Sequence, residues 1–224
     1  MKGRRGLNGS PTRKINVAID GPAGAGKSTV ARRVASALEY IYVDTGAMYR
    51  AVTLKALREG VGAEDRERLA EISGALSVKF VPQPEGQRVL LDGEDVTEEI
   101  RSDRVTRLVS RIAAVPEVRA NLVRIQQRFA ESRGVVMDGR DIGTKVLPDA
   151  EVKVFLTAGI RQRAERRWKE AVRHNPGLTL ESLMEDIQRR DREDSEREIS
   201  PLKQADDALL LDTSDMTADE AAAW

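Results

Sequence analysis

A lysine and a serine at the end of a glycine-rich loop can hold a polyphosphate. Residues Gly21-Pro22-Ala23-Gly24-Ala25-Gly26-Lys27-Ser28 carry that spacing, G-x-x-x-x-G-K-[ST], in full. The glycines let backbone N–H groups converge on phosphate oxygens, Lys27 can reach the β and γ phosphates, and the Ser28 hydroxyl can ligate Mg²⁺. Such a loop needs a strand before it and a helix after it, because the helix N-terminus adds partial positive charge. Both are legible: Ile15 to Asp20 is an apolar, β-branched run, and Lys27 to Leu38 places Val30, Val34, Ala37 and Leu38 at helical spacing. An ordinary glycine turn would not need the Lys-Ser pair. Gly21 through Ser28, with Thr29, are therefore the expected ATP-binding residues. The stretch lacks G-x-G-x-x-G phasing, which disfavours a dinucleotide fold.

A phosphate loop does not select the acceptor, because GTPases, transport ATPases and small-molecule kinases all use one. Neither an N-K-x-D nor an L-S-G-G-Q segment occurs, so the first two classes lose ground. Two further motifs follow short strands, Asp44-Thr-Gly-Ala-Met-Tyr-Arg50 after Ile41 to Val43 and Asp138-Gly-Arg-Asp-Ile-Gly-Thr144 after Val135. Their side chains should emerge at the carboxyl edge of the sheet, beside the phosphate loop. A helix cap or a surface ion pair would explain either motif alone. Both at one edge shift the balance to function.

The elements that must position these residues alternate from the start. Strand, helix, strand and a helix from Ala47 to Arg58 argue for a parallel sheet covered on both faces. The pattern then breaks: Ser77 to Val81 and Arg88 to Leu91 read as a hairpin across Pro82 to Gly86, with a short extended piece at Glu94 to Val96. Helices follow around Ser102 to Ala114 and Pro116 to Ser132, then strands at Val135 to Asp138 and Val152 to Leu156. Arginine-rich helices at Ile160 to Arg173 and Leu180 to Asp194 flank a break at Asn175 to Gly177, and Ala208 to Asp212 is the last strand. Thr217 and Glu220 form a capping-box pattern opening a very short final helix.

Composition narrows the setting. The 224 residues carry 37 Lys+Arg against 37 Asp+Glu, so the total gives no reason to expect a nucleic acid or an anionic membrane as partner. No cysteine is present, which removes thiolate chemistry and zinc-thiolate sites and fits a reducing compartment. The single histidine, His174, is assigned no role. Residues 1–14 are basic with no apolar core of signal-peptide length, and read as a flexible tail. No run approaches the ~20 apolar residues that cross a bilayer, so the expected location is the cytoplasm.

The three motifs together resemble the bacterial cytidylate kinase family, in motif order from about Ile15 to Thr213. Leu91 to Val96, Pro116 to Arg119 and Arg189 to Asp194 agree in place. The resemblance implies an α/β chain with the P-loop NTPase three-layer fold: a central parallel sheet, a helical lid and a small inserted β-hairpin acceptor-binding domain. It implies a core at 15–61 and 102–224, a lid at about 160–200 and an insertion at 62–101. It also implies Mg-ATP-dependent phosphorylation of CMP or dCMP by a monomer. Arg50 and Arg140 would hold the acceptor phosphate, a task suited to guanidinium forks. Thr45, Ser110, Arg119 and Asp141 would surround the base with Arg197 nearby, while Asp194 and Arg190 would read the ribose. Asp141 can accept from the exocyclic amine of cytosine, whereas uracil presents a carbonyl there. The roles of Ser110 and Arg119 are wholly inherited, since an arginine or serine on a helix is ordinarily a solvated or incidental residue.

Arg161, Arg163, Arg166 and Arg167 crowd one helix, with Arg189, Arg190, Arg192 and Arg197 in the next region. Interleaved acids make a salt-bridged solvated face a sufficient reading for most of them. The resemblance selects Lys27, Arg163, Arg190 and Arg197 as charge stabilisers of transfer. The acceptor is already a phosphate oxyanion and needs no general base. Ser28 would ligate Mg²⁺, Asp138 would hold a metal-bound water, and Asp44 is a weaker candidate for that role. The chain stops at Ala221-Ala-Ala-Trp224, where a longer closing helix is usual in that family, which puts packing at this edge in doubt. A kinase for another acceptor, such as another nucleoside monophosphate or shikimate, and a nucleotide-binding regulatory module stay open as alternatives.

Overall fold

A computed structural model describes residues 13–83, 86–171 and 177–224. His174, most of the Asn175 to Gly177 break, Pro84 and Glu85 of the hairpin turn, and residues 1–12 of the N-terminal stretch lie outside the described residues. β1 (Asn16–Asp20) runs into the glycine loop and α1 (Lys27–Leu38) leaves it, followed by β2 (Ile41–Asp44) and α2 (Thr45–Arg58). Gly21 has φ 147°, and a Cβ there would lie 1.9 Å from the Leu156 carbonyl oxygen, so backbone packing alone demands glycine. α2 starts two residues before the expected Ala47, because Asp44 caps it by accepting from the Ala47 N–H at 2.9 Å.

The stretch expected as an insertion, 62–101, holds a helix without a periodicity signal, α3 (Arg66–Gly74), capped by Asp65. It then forms a small antiparallel sheet of β3 (Val78–Gln83), β4 (Gly86–Leu91) and β5 (Glu94–Asp95). A single 3₁₀ turn, Glu99–Arg101, leads into α4 (Asp103–Ala113) and α5 (Pro116–Ala130), with Pro116 in the first turn as expected. Leu69, Ile72, Val89, Leu91 and Ile100 of the insertion share one apolar cluster with Met48, Val105, Leu122 and Met137. The 62–101 stretch is thus packed into the core, and truncating a Leu, Ile or Met of this cluster to Ala costs about 2–5 kcal/mol.

β6 (Val135–Gly139) is followed by a π-type turn, Ile142–Val146, and then by β7 (Val152–Thr157). α6 (Ile160–Ala171) and α7 (Leu180–Ser195) come next and share a small cluster of their own, Ala164, Leu183 and Ile187. β8 (Leu209–Asp212) and α8 (Ala218–Ala223) complete the described chain. The capping box expected at Thr217 and Glu220 is formed, with Thr217 Oγ1 accepting from the Glu220 N–H at 3.2 Å. Ala221 is buried beside Val30, Ala31 and Ala35, so the edge whose packing the sequence left in doubt is covered.

The main sheet is parallel throughout, in the order β2-β6-β1-β7-β8, with helices on both faces. Its register sets Asp44 opposite Asp138 and Asp20 opposite Gly139. Three motif-bearing strand ends are thereby brought to one edge, which is the arrangement an open α/β sheet uses to build a binding crevice. Among the described residues no helix is long and apolar enough to cross a membrane.

Candidate active site

Two cavities meet over the phosphate loop. The larger, about 660 Å³, is lined by Gly24 to Val30 together with Tyr42, Arg166, Thr213 and the start of α8. The smaller, about 210 Å³, opens between α2, α4 and α7. Gly24, Lys27, Ser28, Asp44, Arg101 and Arg167 line both, so a group held in one lies next to a group held in the other.

On the loop, buried Lys27 donates from Nζ to the Pro22 carbonyl at 2.8 Å. Burial and the nearby Arg140 push its ammonium down to about 7, while Asp138, Asp20 and Asp194 pull the other way. Ser28 Oγ donates to Asp138 Oδ2 at 2.9 Å, and Tyr42 donates from its hydroxyl to Asp138 Oδ1 at 2.8 Å. Burial, with Asp44 nearby, raises Asp138 to about 6. Gly21 and Pro22 line neither cavity and act by shaping the loop, whereas Gly24 to Thr29 line the larger one and Ala23 the smaller.

Thr45, Arg50, Ser110, Arg119, Arg140, Asp141, Arg190, Asp194 and Arg197, the whole expected acceptor set, line the smaller cavity. Thr45 donates from Oγ1 to the Asp138 carbonyl at 2.7 Å, and Arg50 from Nη1 to the Ile100 carbonyl at 2.9 Å and Thr106 Oγ1 at 3.0 Å. Arg119 pairs with Asp141, both buried, and its guanidinium stands 5.4 Å from the centre of the Tyr49 ring. Arg140 Nε meets Asp194 Oδ2 at 2.7 Å; although burial opposes it, this partner holds the Asp194 carboxyl below its ordinary range. Burial and neighbouring arginines press Arg50 down to about 10 and Arg190 to about 9, and the buried Arg190 Nε has no hydrogen-bond partner. Guanidinium groups crowded this closely repel one another, and an anion placed among them relieves that repulsion.

Arg163 takes a different position from the one its expected role requires. It is buried and lines neither cavity; it donates to the carbonyls of Ala158 at 2.9 Å and Ala23 at 3.0 Å and pairs with Asp191 at 2.6 Å. It braces the phosphate loop from behind. Its helix neighbours Arg166 and Arg167 face the larger cavity, and Arg166 donates to the Ala25 carbonyl at 3.2 Å and to Thr213 Oγ1 at 3.1 Å.

Tyr42 was not singled out from the sequence, although strand alternation puts it on the same face as Asp44. Its hydroxyl fixes the carboxylate that also holds Ser28. Replacing it with Phe is expected to lower kcat about tenfold, the loss of one buried hydrogen bond to a charged group, with little change in the KM for the acceptor. Steady-state kinetics with each substrate varied in turn checks this.

A parallel sheet of this order, with a phosphate loop after β1 and an arginine-lined second cavity sharing its floor, defines a P-loop kinase that moves phosphoryl groups between two bound ligands. The chain belongs to the cytidylate kinase family, whose model matches residues 17–223. It is similar to the cytidylate kinase of Bacillus pumilus, 53% identical over 210 residues, covering 94% of this chain and 93% of that protein. The cytidylate kinase of Exiguobacterium sibiricum is 51% identical over 211 residues, covering 94% and 95%. Among solved structures, an uncharacterized protein from Eubacterium ventriosum shares the fold at TM-score 0.51 and 12% identity, covering 94% of each chain.

Proposed function

We propose that this family member transfers the γ-phosphoryl group of ATP to CMP or dCMP, giving ADP with CDP or dCDP, and that the cavity residues divide the work as follows. Gly24 to Thr29, Lys27 among them, hold the ATP phosphates, with Arg166 beside them. Arg50 and Arg140 grip the acceptor phosphate, and Arg190 adds charge where the two nucleotides meet. Asp194 and Arg190 also read the ribose, with Arg197 near the base. Asp141 spends one oxygen on Arg119 and offers the other to the cytosine amine, a contact that uracil would meet with an oxygen. The observation that supports the reading is that the residues proposed for the acceptor all line one cavity, and that Lys27 of the phosphate loop lines it too.

Transfer on this reading rests on alignment and fixed positive charge. The acceptor oxygen is already anionic, so the chain supplies no base. Arg163 contributes at one remove, by holding the Ala23 carbonyl and so the shape of the loop. The oxygen donors Ser28 and Asp138, adjacent at 2.9 Å, suit a hard cation such as Mg²⁺, which is commonly held by one or two side chains plus substrate phosphates. Bound there, the ion would neutralise charge on the ATP phosphates. We further take a monomer as the working unit, and an ATP-using chain without cysteine suits the cytoplasm. We also assign the insertion, 62–101, to acceptor binding, which Ile100 and Arg101 support by lining the smaller cavity, while Gly86, Gln87 and Val89 of its sheet line the larger one.

A coupled ADP-release assay across CMP, dCMP, UMP, AMP and shikimate tests the assignment. CMP and dCMP are expected to lead; UMP or shikimate turned over faster than CMP overturns it.

A further inference from the structure

We infer that Asp20, which lines neither cavity, is a positioning residue for base selection, acting as a remote cap on the turn that directly follows Arg140 and Asp141. The inference rests on the proposed role of Asp141 toward the acceptor base.

Asp20 is the last residue of β1, paired in register with Gly139 of β6 on one side and Phe155 of β7 on the other. Its side chain is buried, and its two carboxylate oxygens accept separately from the N–H of Ile142 at 2.8 Å and of Gly143 at 2.8 Å. These amides open the π-type turn, where the later amides of Lys145 and Val146 return to the Asp141 carbonyl at 2.9 and 3.1 Å. The first N–H groups of any helical turn have no acceptor within it. Left unpaired at this depth, each would cost about 1–3 kcal/mol. Asp20 satisfies both from another strand.

The chemistry calls for a carboxylate. Two N–H groups face one side chain, and only two acceptor oxygens on one carbon meet both; an asparagine would turn an NH₂ toward one of them. The fit is close, since a Cβ on Gly143 would come within 3.5 Å of Asp20 Oδ2 and 3.2 Å of Lys153 Cδ. Burial pushes Asp20 up to about 6, while the two amides and the Lys27 charge act to keep it ionised. The consequence lies next door. The capped amides follow Asp141 directly, so Asp20 sets the backbone from which Asp141 meets Arg119 and the base, and ties that backbone to the strand leading into the phosphate loop.

Asp20→Asn keeps the side-chain volume and removes one acceptor. We expect its KM for CMP to rise about tenfold and the CMP-over-UMP ratio of kcat/KM to fall by a similar factor, as small misplacements of substrate-holding groups do, with the KM for ATP changed by less than about twofold. A merely structural residue would lower Tm and leave the CMP-over-UMP ratio intact. An unchanged ratio, or a KM for ATP that rises as far as that for CMP, overturns the inference. The parent assayed alongside separates two failures: a parent without CMP preference sinks the acceptor reading and this inference with it, whereas a CMP preference retained in the variant sinks only the role of Asp20. If Asp20→Asn does not fold, Asp20→Ser, which offers a single acceptor, is put through the same assay, and amide exchange on the parent chain supplies a direct reading. Slow exchange at Ile142 and Gly143 supports the cap, and fast exchange at both overturns it.

Discussion

Replacing Lys27 with Met should reduce kcat by about three orders of magnitude or more, the scale of removing a preorganised charge from a transferring phosphoryl group. Met keeps the length of the stem and loses the ammonium. Lys27 stands where the two cavities join, held by the Pro22 carbonyl at 2.8 Å and flanked by Asp138 and Asp20. It is the one cation on the phosphate loop itself, and the arginines that line the smaller cavity with it, among them Arg50 on α2, Arg101 on the 3₁₀ turn, Arg167 on α6, Arg190 on α7 and Arg140 after β6, all come from other elements, so none replaces its position. Because the ammonium is buried and pressed down to about 7, its loss also relieves a desolvation cost, and the variant should fold at least as stably as the parent. Single-turnover kinetics with preformed ternary complex, beside a thermal melt, check both parts. A melt unchanged or raised with turnover collapsed fits a charge used in the chemistry; turnover within about tenfold of the parent would remove Lys27 from that role.

The sheet and its loop were legible because they rest on local signals: an apolar β-branched run, a glycine spacing and a helical repeat, each within a dozen residues. The proposed acceptor set could be reached only through resemblance. Ser110 and Arg119 sit on α4 and α5 with nothing in their neighbours to mark them, and only the chain's folding brings them to the same cavity as Asp141. α3 escaped because its nine residues bury only Leu69, Ile72 and Ser73, too few to show a repeat. The π-type turn has no sequence signature of its own, since its capping group, Asp20, lies 122 residues from Ile142. Arg163 illustrates a third kind of limit. The clustering of arginines was visible, but which of them turns to the loop's carbonyls and which to the cavity depends on the rotation of α6 against α7 and the phosphate loop, where Ala164 packs with Leu183 and Ile187.

Asp141→Asn should lower kcat/KM for CMP by about two to three orders of magnitude while leaving UMP much less affected, because a site built around a hydrogen bond discriminates through the group left unpaired. The same change should destabilise the chain. Arg119 and Asp141 are both buried, with side chains 3% and 6% exposed, and removing the charge of one partner leaves the other guanidinium uncompensated at a cost of about 3–5 kcal/mol. Part of that cost is offset, since Arg119 also donates to the Ala113 carbonyl at 3.1 Å and stacks near Tyr49. The two consequences are separable with a double substitution. Arg119→Met combined with Asp141→Leu removes both charges and refills the space with apolar atoms, an exchange that buried ion pairs commonly tolerate without loss of stability. The double variant is therefore expected to melt near the parent and above either single variant, yet to phosphorylate CMP no better than Asp141→Asn. Recovery of stability without recovery of activity would place the pair in substrate recognition; recovery of both would make it a packing element, and the cytosine contact would have to be sought elsewhere in the cavity.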